Sequence, residues 1–234
     1  MAIDTELTIL SHDEIRTLYA VPKLIKEEQE VLFSLTEQEK QCLDGIVQIQ
    51  TKINFILQLG YFKASRYFYK TSFRNARLDV WFIIERYFPK EKFPQKILNI
   101  NHHYANQKAI LELYEYQRSN QDILLELVRQ ADQIVKYDAC PRYIFDQLLD
   151  YCEHKKIIRP GYSTLQKIVS NALMKEEQRL LSKISGINQD TKQAIDALLA
   201  VDDLFYRLTS LKKEPKNFTT KEMRAELTKL QTIN

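Results

Sequence analysis

At 234 residues the chain is long enough for one large or two modest domains, with 44% hydrophobic and 28% charged residues. Four glycines and six prolines are few for an all-β protein, and abundant Leu, Ile, Gln, Lys and Glu favour helix. No apolar stretch reaches membrane-spanning length, and the acidic start MAIDTELTIL lacks a secretory n-region. With Cys42, Cys140 and Cys152 as an odd, scattered trio, the expectation is a soluble chain in a reducing, intracellular setting with no membrane partner.

Helix starts are legible along the chain. Ser11 with Glu14, Thr36 with Glu39, Ser163 with Gln166 and Thr219 with Glu222 fit capping boxes. Behind the second, Ile46, Ile49, Ile53, Ile56 and Leu57 recur at helical spacing, and Gly60 is the predicted stop. Leu78 to Phe88 reads as an apolar helix ended by Pro89, and residues 89–100 as a connector. Further helices are predicted over about 102–117, 122–137, 142–154 and 164–183. After Gly186, helices follow near 189–200 and 202–212, and from about 220. No strand pattern, repeat or low-complexity tract stands out. The expected fold is all-α, with two small helix-turn-helix-like modules at 1–96 and 97–186 and a helical extension at 187–234.

Charge is unevenly spread. Residues 1–50 hold four basic and ten acidic residues, residues 51–100 ten and three, and residues 151–200 eight and five. Two basic segments predict two contact surfaces. The first contains GYFKASRYFYKTSFRNARL, from Gly60 to Leu78, with five basic residues, six aromatics and no carboxylate. Lys63, Arg66, Lys70, Arg74 and Arg77 are interleaved with aromatic rings, Phe62 and Phe68 being the first assigned to the core. Cations among flat rings suit phosphates with bases nearby; a partly buried helix with snorkelling cations is the plainer alternative.

The second basic element is CEHKKIIRPGYSTLQKIVSNALMKEEQRL. Lys155, Lys156 and Arg159 form a basic turn, and Pro160 and Gly161 break the chain before a second helix. Tyr162, Ser163, Thr164, Gln166, Lys167, Ser170 and Asn171 are its expected outward reading face, with Lys175 beyond. The first turn carries no carboxylate, as suits a helix meeting phosphates and base edges, although the connection is longer than a standard helix-turn-helix turn. The alternative is a solvated polar face. His102, His103, Asn106 and Lys108 are a weaker candidate backbone contact, against ordinary surface residues at a helix start.

Metal and catalytic motifs are lacking. Cys140, Cys152 and His154 have no CxxC pair or second histidine at ligand spacing, and Cys152 belongs to an apolar helix face. Glu176–Glu177 and Asp202–Asp203 are adjacent pairs that point to different azimuths. No hydrolase, zincin, P-loop or Rossmann fingerprint occurs, so no catalytic residue is assigned.

The order of motifs is nonetheless familiar. ILSHDEIRTLYAVPKL, FSLTEQE, FILQLGYFKASRYF and DVWFIIERYFP resemble the N-terminal region of replicative bacterial transposases of the Tn-three family, as does PRYIFDQLLDYCEHKKIIRPGYSTLQKIVSNALMKEEQRL. The resemblance covers most of residues 8–182 and carries Gly60 to Arg66 and Pro160 to Leu165 as DNA-facing landmarks. It implies a bipartite helical region that binds double-stranded DNA at terminal inverted repeats. It also implies a longer DDE-type protein whose distant catalytic core uses a divalent metal, magnesium being the expected ion, and self-associates through regions outside this chain. No cofactor is expected within the chain, and the location implied is the bacterial cytoplasm at the nucleoid. Two readings compete: a helical protein–protein adaptor with a basic surface, and the core-binding domain of another DNA recombinase.

Overall fold

The computed structural model describes residues 7–70, 72–94, 100–199, 201–202, 205–206 and 219–233. The fold is all-α. Eleven helices are present among the described residues: α1 His12–Tyr19, α2 Lys26–Leu32, α3 Glu37–Asp44, α4 Ile49–Ser65, α5 Arg77–Tyr87, α6 Ile100–Tyr114, α7 Gln121–Ile134, α8 Pro141–His154, α9 Tyr162–Ser185, α10 Gln189–Leu199 and α11 Thr220–Ile233. Where a helix was expected near 202–212, Val201–Asp202 (β1) pairs antiparallel with Phe205–Tyr206 (β2), and residues 203–204 and 207–212 lie outside the described residues. No described helix is long and apolar enough to cross a membrane.

The chain divides into two compact units, Met1–Glu177 and Gln178–Asn234, with the boundary inside α9. The first unit holds two apolar clusters. One is built on α4, whose Ile53, Phe55, Ile56, Leu57, Leu59, Tyr61 and Phe62 are buried on nearly every face, as expected of a helix apolar all round. Helices α2, α5 and α6 pack against it. The other cluster joins Leu127, Ala131, Ile144, Phe145, Leu148, Leu165, Val169 and Ala172 with Leu10 from the start of the chain. The N-terminal segment thus packs with the residue 121–172 helices rather than with its sequence neighbours. In the second unit, Asn188 Oδ1 accepts from Thr191 N–H at 2.8 Å to open α10.

Two capping boxes form as expected, Ser11 with Glu14 and Thr36 with Glu39. Ser163 with Gln166 does not, because α9 already begins at Tyr162 and Gln166 is turned inward. Gly60 does not stop its helix either. α4 runs on to Ser65 and ends at Arg66, which adopts φ 53°. Gly60 serves close packing instead: a Cβ there would lie 2.3 Å from two carbons of the buried Phe33 ring.

Candidate functional site

After α4 the chain leaves the helix, and Phe73 and Ala76 anchor it to the core. Ser72 Oγ accepts from Asn75 N–H at 3.2 Å, forming the turn that leaves Arg74 exposed and leads into Arg77 at the start of α5. This segment borders an open cavity of about 1270 Å³. Lys70, Arg74 and Arg77 line one side, and Arg118 and Arg159 also face it. Its aromatic surface comes from Tyr67, Phe68, Tyr69, Phe73, Trp81, Phe93 and Tyr104. No described carboxylate lines it.

The rings are positioned by one another. Trp81 and Phe93 have centroids 5.5 Å apart, and the Arg118 guanidinium lies 5.5 Å from the centre of the Tyr104 ring. Beneath them is an amide–imidazole network. The His103 ring nitrogens lie 3.1 Å from the Gln58 and Gln107 side-chain amides, and Arg118 donates to Gln107 Oε1. Asn106 donates to Thr51 O and Asn54 Oδ1, both at 3.0 Å. Burial and then the Arg118 charge hold the His103 pKa below its ordinary value, so the imidazole is neutral at pH 7.

The five cations of the Gly60–Leu78 run separate into two groups. Lys70, Arg74 and Arg77 are exposed along the cavity. Lys63 turns inward and donates to Ser34 O at 2.6 Å while pairing with Glu39 at 2.8 Å. Burial pushes the Glu39 carboxyl up, but Lys63, the Tyr114 hydroxyl and the Thr36 N–H outweigh it and hold the pKa below the usual range. Arg66 lies over the Phe62 and Tyr114 rings and donates to Phe62 O and Lys63 O at the C-terminus of α4. Both side chains are half-buried and bonded within the protein, whereas an outward position was expected.

The second basic element divides similarly. Lys155 is exposed beside the Tyr151 ring, and Lys156 pairs with Glu115 at 2.5 Å. Arg159 lies between the Tyr19 and Tyr67 rings, 5.3 and 5.5 Å from their centroids, and donates to Leu18 O at 2.7 Å. Tyr162 is half-buried and Gln166 buried. The Tyr162 hydroxyl accepts from Ile9 N–H at 3.2 Å, and Gln166 Nε2 donates to Leu7 O at 2.7 Å, so both clasp the N-terminal segment. Ser163, Lys167 and Asn171 remain exposed, Thr164 and Ser170 half-buried, and Lys175 pairs with Asp132 at 3.0 Å.

Of the weaker candidates, Asn106 is buried in the network described above, and Lys108 faces Glu112 at 3.7 Å. His103 lines the cavity. Cys152 is buried, which pushes its thiol up to about 11. Among the described residues no three His, Cys, Asp or Glu side chains come together to hold a metal. Glu176 is buried and Glu177 exposed, so they share no face.

Residues 9–172 match the family described as a domain of unknown function, DUF4158. The chain belongs to that family. The DUF4158 match begins one residue before Leu10 and ends at Ala172, the first and last buried residues of the second apolar cluster, and it contains every described residue that lines the cavity. No curated protein matches the chain.

Proposed function

We propose that this chain is a DNA-binding unit of a transposase resembling the Tn-three family, gripping the terminal inverted repeats of a transposon. The observation that carries the reading is the cavity lining, where three exposed cations stand among aromatic rings with no described carboxylate. Such a surface attracts a polyanion, and each neutralised phosphate releases counterions. Lys70, Arg74 and Arg77 supply backbone contacts in this reading. On α9, Ser163, Lys167 and Asn171 are the exposed polar groups offered to base edges. The motif order from Ile9 to Leu180 adds the resemblance that selects transposon ends over DNA in general.

The divalent ion implied for a transposase core finds no fitting set of ligands among the described residues. Footprinting on a transposon end tests the reading. Protection of the inverted repeat is expected; an unprotected end at concentrations that saturate other DNA contradicts it.

A further inference from the structure

The cavity lining carries aromatic rings as well as cations, and the DNA reading above uses only the cations. Trp81 and Tyr104 line the cavity and are 37% and 52% exposed. A duplex keeps its base faces stacked on one another, so it offers phosphates to the lining cations but no flat surface to the lining rings. An unpaired nucleotide offers both. The volume, about 1270 Å³, exceeds the usual range for a small-ligand pocket, about 300–1000 Å³.

We propose that this cavity receives unpaired nucleotides of a DNA strand, with Trp81 and Tyr104 as stacking faces and Lys70, Arg74 and Arg77 holding the phosphates that flank them. Arg118, already over the Tyr104 ring, adds a cation beside that face. Lining amides such as Gln107 are bonded to their neighbours, so capture depends on stacking and charge and tolerates different base sequences. The inference rests on the DNA reading but is separable from it.

Trp81 is the sole tryptophan of the chain and reports directly on the cavity. The full chain is titrated at one salt concentration with a blunt duplex, the same duplex carrying an unpaired internal loop, and a free deoxynucleoside monophosphate. The looped duplex is expected to quench Trp81 emission and bind at least about fivefold more tightly than the blunt one. Tyr104→Ala, at an exposed ring, should remove most of that advantage. Blunt-duplex binding with no quenching by the loop, or an advantage that survives Tyr104→Ala, overturns this inference alone. Equal quenching by the monophosphate overturns the assignment to a DNA strand. Failure of every DNA form to bind overturns the broader reading and this inference with it.

Discussion

Lys63 Nζ stands 2.8 Å from the carboxylate of Glu39, whose side chain is only 2% exposed. The pair ties α4 to α3, and the Tyr114 hydroxyl adds a 2.6 Å hydrogen bond from α6. Removing one partner of a buried pair leaves an uncompensated charge. Lys63→Ala should therefore cost about 3 kcal/mol of stability, measured by urea unfolding. The same variant should leave the salt dependence of DNA binding unchanged, because this cation faces inward.

Glu39 also predicts an acid limb of stability. Its folded pKa lies below the unfolded value, so the unfolded chain binds more protons at low pH. The contribution is complete above the unfolded carboxylate range and is lost as pH falls through the lowered folded value. Unfolding free energy followed against pH should show this loss, and Glu39→Gln should flatten it.

His103 has the same sign in a higher window. Its folded pKa is depressed by burial and by Arg118, so stability is complete above the unfolded value, about 6.5, and declines as pH falls through the folded one. His103→Gln should remove that part of the decline in thermal melts between neutral and mildly acidic pH.

Gly60→Ala tests the close approach to Phe33. Helix propensity alone predicts a gain of up to about 1 kcal/mol. The buried ring 2.3 Å from the new Cβ reverses the sign, and a net loss of about 1–3 kcal/mol is expected in urea unfolding.

Much of the helical outline was legible in the sequence, because caps such as Ser11 with Glu14 and apolar spacing such as Ile53, Ile56 and Leu57 act locally. The direction of each cation was not. Lys63 turns inward because of Glu39, and Arg66 because of Tyr114, and neither partner is a sequence neighbour. Tyr162 and Gln166 looked outward only while the N-terminal segment that they clasp was out of view. Trp81, Tyr104 and Arg118 were missed because their elements meet only in the fold. The lone tryptophan, lying four residues beyond Arg77, and the flagged His103 were the available clues.

The most direct measurement is the salt slope of duplex binding by the full chain and by the variant Lys70→Ala with Arg74→Ala and Arg77→Ala. Each lost phosphate contact should lower the slope of log K against log salt by about 0.9, so the triple change should lower it by about 2 to 3 and weaken binding to all duplexes. A slope and affinity unchanged by removing all three cations would contradict the DNA-binding account.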